Sequence, residues 1–197
     1  MTSSPRAAVL IAVGARWRPR LLLMQRAGHL ALHPGEVALP GGKAEPGEHS
    51  PWQTALREAR EELALPPERV RPLVQLSTRL SRTGIAVTPV VGLVEELPAL
   101  RADPGEVDHF FWVPLDRFLP PQRPRRRLVV EPGRLRSTLS YWHGNYHIWG
   151  LTARILAELG GQVATAGGWR AWLAMARAGE AGQQLHPLHA DNQEDST

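Results

Sequence analysis

The sequence predicts an α+β fold, an α/β/α sandwich around a mixed β-sheet. Short apolar segments bounded by Gly and Pro predict strands both before and after one long helix. That helix, predicted over about 51–64, is amphipathic and carries capping residues. The order of strands, helix, strands and helix lacks the regular βαβ alternation of a parallel sheet, and therefore favours a mixed one.

Strands and loops follow from composition. Two apolar segments around Arg18–Pro19–Arg20 predict a hairpin, and no segment approaches the roughly 18 apolar residues of a membrane span. The predicted strands cover 7–13, 21–26, 38–39, 71–77, 85–93, 107–113, 128–131 and 136–142. The predicted loops cover 27–37, the polar and basic 79–84 and the proline-rich 120–127, while 145–150 leads into a helix over 151–159.

Composition shifts after Gly160–Gly161, so we divide the chain into a domain over 1–160 and an extension over 161–197. The extension is predicted to hold one amphipathic helix over 168–177, with Trp169 and Trp172 on one side. The rest, 179–197, is polar and is expected to be disordered.

The chain of 197 residues has no cysteine and a formal net charge of +4. Without cysteine there are no disulfides, thiolate metal sites or cysteine nucleophiles, which fits a reducing, cytoplasmic compartment. Lys43 is the only lysine, so arginine carries the positive charge, and arginine binds phosphate bidentately. Two explanations of this charge are equally good: a phosphorylated substrate, or a general bias of the chain toward Arg, Ala, Pro, Leu and Gly.

Local signals set the bounds of the long helix. Ser50 is a good N-cap, Pro51 suits the first helical position, Gln53 completes a capping box and Pro66–Pro67 stops the helix. An apolar stripe at helical spacing predicts the face that packs on the core. Its members are Trp52, Ala55, Leu56, Ala59 and Leu63.

Three carboxylates, Glu58, Glu61 and Glu62, lie within an arc of about 100° pointing away from that stripe. Like charges at this spacing destabilise a helix by about 0.2–0.5 kcal/mol per pair, so a bound cation is expected to neutralise them. Oxygen ligands favour Mg²⁺ or Mn²⁺ over zinc. A solvated acidic face is the alternative, and the glycine turn at a fixed distance before the helix argues against it.

The spacing of Gly42, Glu48 and Arg57-Glu58-x-x-Glu61-Glu62 resembles the Nudix box of the Nudix hydrolases. Two departures are present: eight residues rather than seven separate Glu48 from Arg57, and Ala64 stands where the box ends in glycine. The resemblance implies a Nudix-type α/β/α sandwich that hydrolyses a pyrophosphate linked to another group.

The extra residue is similar to the expansion in the coenzyme A pyrophosphatase branch of the family. That branch also carries an upstream motif, matched here by Leu22-Leu23, Gln25-Arg26-Ala27, His29-Leu30, His33, Gly35 and Pro40-Gly41-Gly42. Segments 87–92 and 148–153 look like the branch as well. Met24, Ala31 and Leu39 stand where it usually has Thr, Arg and Phe. The resemblance implies cleavage of coenzyme A to 3′,5′-ADP and 4′-phosphopantetheine.

The resemblance also implies roles for individual residues. Glu58, Glu61, Glu62 and the Gly42 carbonyl would hold Mg²⁺ or Mn²⁺, and Arg57 would orient Glu58. Glu48 would stabilise the junction between loop and helix. Glu58 is the first candidate for the general base and Glu106 the second. Weaker candidates are Asp103, Asp108, Glu95 and Glu96.

Arg26, His29, Arg79 and Arg82 are the candidate contacts to substrate phosphates. Three aromatic residues near the end of the domain either stack on adenine or pack in the core: Trp142, Tyr146 and Trp149.

Three other functions remain open at this point. One is Nudix hydrolysis of ADP-ribose, dinucleoside polyphosphates or nucleoside triphosphates. Another is nucleic-acid binding through Arg123, Arg125, Arg126 and Arg127, although no interleaved aromatic residues or known motif accompany them. The third is a Nudix fold that binds without catalysis. We expect a small-molecule nucleoside diphosphate substrate, no nucleic-acid partner and no membrane, and the resemblance leaves a homodimer open.

Overall fold

The structure, a computed structural model, describes residues 6–14, 18–131 and 134–179. Most predicted elements are present with ends shifted by one to three residues, although the helix predicted over 151–159 continues to Thr165. The strands are β1 (Arg6–Gly14), β2 (Arg20–Arg26), β3 (Val37–Ala38), β4 (Gly41–Lys43), β5 (Val70–Gln75), β6 (Arg79–Leu80), β7 (Ala86–Val94), β8 (Val107–Pro114), β9 (Arg125–Glu131), β10 (Arg134–His143) and β11 (Tyr146–Trp149). The helices are α1 (Pro51–Leu63), α2 (Gly150–Thr165) and α3 (Trp169–Arg177), and single 3-10 turns cover Pro67–Arg69 and Leu115–Phe118.

The main sheet is mixed, as predicted. Within the described residues, β1 and β7 pair in parallel, and every other pair in this sheet is antiparallel. The central path runs β3-β2-β1-β7-β5, while β8 pairs with β2 and β4 pairs with β1. This topology brings β4, at the start of the glycine turn, directly beside the central strand.

Alternating residues of β1 face two separate apolar cores. Leu10 packs with Ala55, Ala59 and Leu63 of α1 on one side of the sheet. Ile11 packs on the other side with buried residues of α2 and with Trp172 of α3. Because side chains of a strand alternate between faces, this pattern places helices on both faces and confirms the predicted α/β/α sandwich.

A second, three-stranded antiparallel sheet has the order β11-β10-β9, and part of it lies in segments that the sequence did not predict as strands. The predicted loop 120–127 ends early, since Arg125–Arg127 pair with β10. Segment 145–150 contains β11, because Tyr146–Trp149 pair with β10. In the main sheet, Arg79–Leu80 of the predicted loop 79–84 pair with β7. All three segments are short or rich in charged residues, so their own sequences carry little strand signal.

Residue 160, the end of the predicted domain, lies within α2. Helix α2 continues through Gly160, whose bare Cα packs directly against the backbone of Phe118. Trp172 of α3 is fully buried in the same core as Ile11. The predicted tail, 179–197, falls outside the described residues except for Gly179. Among the helices of the described chain, none combines the length and the apolar character that a membrane crossing requires.

Candidate active site

Helix α1 begins and ends as its sequence predicts. The Ser50 hydroxyl accepts a hydrogen bond from the backbone N–H of Gln53, and the Gln53 side chain accepts one from the backbone N–H of Ser50. At the other end, Ala64 adopts the left-handed conformation with φ 53°. This conformation explains why the position usually carries glycine, which reaches it without steric cost.

Arg57 is the centre of the hydrogen-bond network on the polar face of α1. Its Nε donates to Glu48 Oε1 at 2.9 Å and its Nη1 to Glu61 Oε2 at 2.8 Å. Its Nη2 donates to Glu58 Oε1 at 3.0 Å and to the Lys43 carbonyl at 2.9 Å. These charge-assisted bonds raise the pKa of Arg57 and fix three carboxylates relative to the glycine turn.

Glu48 joins the turn to the helix. Its carboxylate accepts hydrogen bonds from the Glu45 backbone N–H at 2.8 Å, from Thr54 Oγ1 at 2.7 Å and from Arg57. Burial alone would raise the pKa of Glu48, but these donors and the charge of Arg57 lower it to about 2. These contacts link the turn before α1 to the helix, where the resemblance places Glu48.

Glu62 is 1% exposed, which is unusual for a carboxylate. Burial raises its pKa to about 8, and the neighbouring charges of Glu58 and Glu106 act in the same direction. The opposing influences are a 2.9 Å hydrogen bond from the Gly41 N–H and the charge of Arg26. Glu62 therefore points inward, toward the turn and Arg26.

Glu58 lies against the bare Cα of Gly42. A Cβ at position 42 would overlap the Glu58 carboxylate, so this glycine leaves the space that the carboxylate fills. Burial raises the pKa of Glu58, Arg57 opposes the shift, and Glu61 and Glu106 add to it. Glu58 and Glu62 thus lie beside consecutive glycines, Gly42 and Gly41.

Glu106 reaches the same place from a distant part of the chain. Its backbone carbonyl accepts a hydrogen bond from the Ala27 N–H at 2.9 Å, while the Asp103 N–H donates to the Glu62 carbonyl at 2.9 Å. The His29 ring donates through Nε2 to the Gly105 carbonyl at 3.1 Å. The loop before β8 is therefore tied both to the end of α1 and to the segment after β2.

The phosphate-contact candidates separate into two groups. Arg26 lies beside Glu62, and its buried Nε has no hydrogen-bond partner among the described residues, while His29 bonds the Gly105 carbonyl next to Glu106. Arg79 instead donates twice to Glu158 of α2, at 2.9 and 2.6 Å, and Arg82 lies exposed in the next loop.

The weaker acid candidates have local partners instead. Asp103 accepts a hydrogen bond from the Gly105 N–H at 2.8 Å, and Asp108 bonds the ring of His109 at 2.7 Å. Glu95 and Glu96 pair with arginines, Glu95 with Arg177 and Glu96 with Arg69.

The three aromatic candidates lie on the second sheet. Tyr146 stacks on Phe111, with ring centroids 3.8 Å apart, and bonds His109 through its hydroxyl at 2.9 Å. Trp142 and Trp149 flank the ring of His147 in a stacked row.

The chemistry of the carboxylates fits a hard divalent cation, although no three His, Cys, Asp or Glu side chains of the described residues are already arranged to hold one. Glu61 is turned toward Arg57, and the Gly41 N–H occupies one oxygen of Glu62. The buried Glu62 and the partly buried Glu58, both with raised pKa values, remain beside the glycine turn. A divalent cation bound there would offset the negative charge of the carboxylates, and all of its ligands would be oxygens. The residues present therefore suit Mg²⁺ or Mn²⁺.

A protein-family comparison agrees with this geometry. The NUDIX domain model matches residues 4–131. The chain belongs to the Nudix family. Nudix hydrolases cleave pyrophosphate bonds and generally use divalent metal ions, so the coarse activity predicted from the box is confirmed.

Relatives of this Nudix hydrolase include proteins named Uncharacterized Nudix hydrolase NudL in Yersinia pestis (strain Pestoides F) and Yersinia pseudotuberculosis (strain YPIII). Each is 43% identical over 158 residues, which is 80% of this chain and 79% of the relative. A solved MutT/nudix family protein from Enterococcus faecalis shares the fold, with a TM-score of 0.55 at 18% identity over 84% of this chain and 64% of its own.

Sequence reasoning missed two contributors to the site of this Nudix hydrolase. Gly41 donates its N–H to Glu62 and approaches β1 so closely that a Cβ would overlap the carbonyl of Ala8. The adjacent Gly41–Gly42 pair was the available signal. The second is Ala27, whose N–H holds the Glu106 loop. Backbone donors of this kind leave no trace in residue type.

Proposed function

We propose that this Nudix hydrolase cleaves the pyrophosphate bond of coenzyme A or its derivatives, releasing 3′,5′-ADP and 4′-phosphopantetheine, with Mg²⁺ or Mn²⁺ as cofactor. One observation supports the substrate most strongly: the segment that resembles the coenzyme A branch forms a wall of the carboxylate cluster. Ala27 and His29 hold the Glu106 loop, and Gly41 bonds Glu62. These contacts support a role for the motif in binding the phosphates of the substrate.

The departures from the branch motif bear unequally on this proposal. Met24 is fully buried and Leu39 is 4% exposed, and both pack in the apolar cores. These two positions affect packing rather than ligand contact. Ala31 is exposed in the loop after β2, so it is the departure that bears on phosphate binding.

Glu58, Glu62 and the Gly42 carbonyl would hold the metal ion, with Glu61 completing the set after release from Arg57. A bound Mg²⁺ or Mn²⁺ supplies positive charge against the diphosphate and Lewis acidity. Arg57 keeps Glu58 in place through their 3.0 Å hydrogen bond. Gly42 contributes by leaving room for that carboxylate.

Glu106 is the better placed general base. Glu58 is engaged by Arg57, whereas the carboxylate of Glu106 is exposed and has no hydrogen-bond donor among the described residues. In the proposed step a water oxygen attacks one phosphorus of the diphosphate, its proton passes to Glu106 and the bridging P–O bond breaks. Arg26, beside Glu62, neutralises the phosphate oxygens.

His29 is proposed as a second phosphate contact, because it lies on the same loop as Ala31. Arg79 and Arg82 rank after it. Arg79 would have to leave Glu158, and Arg82 would have to reach across from its exposed loop.

A substrate panel tests the specificity. We expect kcat/KM for coenzyme A to exceed the values for ADP-ribose and a nucleoside triphosphate by at least about tenfold, the scale of one good polar contact. Ala31→Arg should lower KM for coenzyme A and leave kcat within a factor of about two, because added ground-state binding does not speed the chemical step. Preference for ADP-ribose or the triphosphate would overturn the substrate assignment while leaving the family intact.

The role of Glu106 has its own test. Glu106→Gln should lower kcat by about 10²-fold or more and remove the acidic limb of the kcat pH profile, with KM little changed. Glu95→Gln, at an exposed carboxylate, is the matched control and should retain the kcat and the acidic limb of the unaltered chain. If the pH profile of Glu106→Gln is unchanged, Glu106 is not the general base and Glu58 becomes the candidate.

A further inference from the structure

A polar cavity lies on the second sheet. It has a volume of about 380 Å³, within the usual range for small-molecule sites of roughly 300–1,000 Å³. Three segments meet there: the turn after β8, the link into β9, and the part of β10 that pairs with the start of β9. Its lining residues are Arg117, Gln122, Arg123, Arg125, Ser140, Tyr141 and Trp142.

The charge of this cavity is uncompensated. Within the described part of the chain, no carboxylate forms an ion pair with Arg117, Arg123 or Arg125. Arg57, in the carboxylate site, behaves differently, since it is paired with Glu48, Glu58 and Glu61. Three unpaired guanidinium groups around one cavity create a strongly positive site.

The positive charge of the arginines also affects a neighbouring histidine on β10. Burial lowers the pKa of His143, and the charges of Arg117 and Arg20 lower it further. The positive charge is therefore concentrated in this part of the fold, and an anion would relieve it.

The lining groups suit a phosphate beside a planar ring. Guanidinium groups present paired donors that match phosphate oxygens, and the amide of Gln122 adds another donor. Trp142 is 53% exposed at the cavity and is braced by His147, with ring centroids 4.5 Å apart. An exposed, braced indole offers a stacking surface for a base.

The cavity is separate from the carboxylate cluster. Glu106 precedes the first residue of β8, whereas Arg117 follows the last. Eight strand residues at about 3.3 Å each span roughly 25 Å, much longer than a diphosphate. A diphosphate held at Glu58 and Glu62 therefore does not reach these arginines.

We propose that this cavity is a second ligand site, which binds a small nucleoside phosphate through Arg117, Arg123 and Arg125 with the base against Trp142. The site does not require a divalent metal and does not perform hydrolysis. It is independent of the substrate proposed for the carboxylate cluster.

Calorimetric titration of the full chain with ADP in EDTA tests the site. We expect binding that falls by about tenfold or more in the double variant Arg123→Gln/Arg125→Gln, since paired guanidinium–phosphate contacts are lost. The matched control is Arg126→Gln/Arg127→Gln, which removes the same charge from the same strand at residues outside the cavity. Its affinity should change by less than about twofold. Arg117→Gln, on another segment, should weaken ADP as well.

Several results would overturn the proposal. These are no ADP binding in EDTA, an equal loss in the two double variants, or a loss in Arg26→Gln, which would place ADP at the carboxylates. If adenosine binds as tightly as ADP, the arginines do not recognise the phosphates. A single-stranded RNA that binds more tightly than ADP and depends on all four arginines would make this face a nucleic-acid surface instead.

Discussion

The two arginine sites of this Nudix hydrolase are built in opposite ways. Arg57 is surrounded by acceptors and donates to Glu48, Glu58, Glu61 and a backbone carbonyl. The cavity arginines, such as Arg123, face no carboxylate in the described chain. An arginine paired with carboxylates positions them, whereas unpaired arginines leave their charge available to a ligand. The same residue type therefore serves a structural purpose at one site and a binding purpose at the other.

Among substitutions that leave every charge in place, the largest expected effect comes from Gly42→Ala, which would break the carboxylate site. The new Cβ overlaps the Glu58 carboxylate, and misplacing a catalytic group by about 1 Å can cost 10²-fold in rate. We expect kcat to fall by about 10²-fold. Gly28→Ala, in a loop where a Cβ meets nothing within 4 Å, should retain its activity. Steady-state kinetics of both variants decide, and full activity of Gly42→Ala would contradict this geometry.

Gly160→Ala sharpens the comparison from the other side, because Gly160 supports the turn that carries Arg117. Its Cβ would overlap the carbonyl of Phe118, and such overpacking costs about 1–3 kcal/mol. The neighbouring Gly161→Ala meets nothing and should stabilise α2 by about 0.5–1 kcal/mol. Denaturant unfolding measures both. Stabilisation by Gly160→Ala together with destabilisation by Gly161→Ala would contradict this packing and would place the end of α2 before residue 160.

Glu48→Gln tests how much the Arg57 network contributes to stability. The folded-state pKa of about 2 lies below the ordinary 4.5, so the stabilisation is present above pH 4.5 and disappears as the pH falls toward 2. We expect the variant to lose about 1–2 kcal/mol of unfolding free energy at pH 7 and much less at pH 3. Glu45→Gln, whose side chain is 63% exposed, should lose under about 0.5 kcal/mol. A deficit of Glu48→Gln that is independent of pH would contradict the assignment.

The smallest expected effect is a gain. Ala64 adopts φ 53°, where a Cβ costs about 1–2 kcal/mol and glycine has no such cost. After the entropy cost of glycine, Ala64→Gly should stabilise the protein by up to about 1 kcal/mol. Ala164→Gly, in regular helix α2, should destabilise it by about 0.5–1 kcal/mol. Thermal unfolding compares the two, and destabilisation by both would mean that Ala64 is not left-handed in solution.

Local spacing explains what the sequence could predict. The capping box at Ser50, the carboxylates of α1 and the glycine before them lie within one short segment, so their mutual geometry follows from helix periodicity. Glu106 is a candidate because of its place before a strand. The arginine cavity was not predicted, because Arg125 and Ser140 come together only when β9 pairs with β10. Register between distant strands depends on packing, which one segment does not encode.

The central claim is that the carboxylates of α1 carry out metal-dependent cleavage of a diphosphate. The most direct measurement incubates coenzyme A with the full chain and Mg²⁺ or Mn²⁺, then identifies products by mass. We expect 3′,5′-ADP and 4′-phosphopantetheine, loss of both with EDTA, and a rate about 10³-fold lower in Glu58→Gln. Glu45→Gln, exposed beside the same turn, should match the unaltered chain. Turnover that persists in Glu58→Gln, or that proceeds in EDTA, would contradict the account.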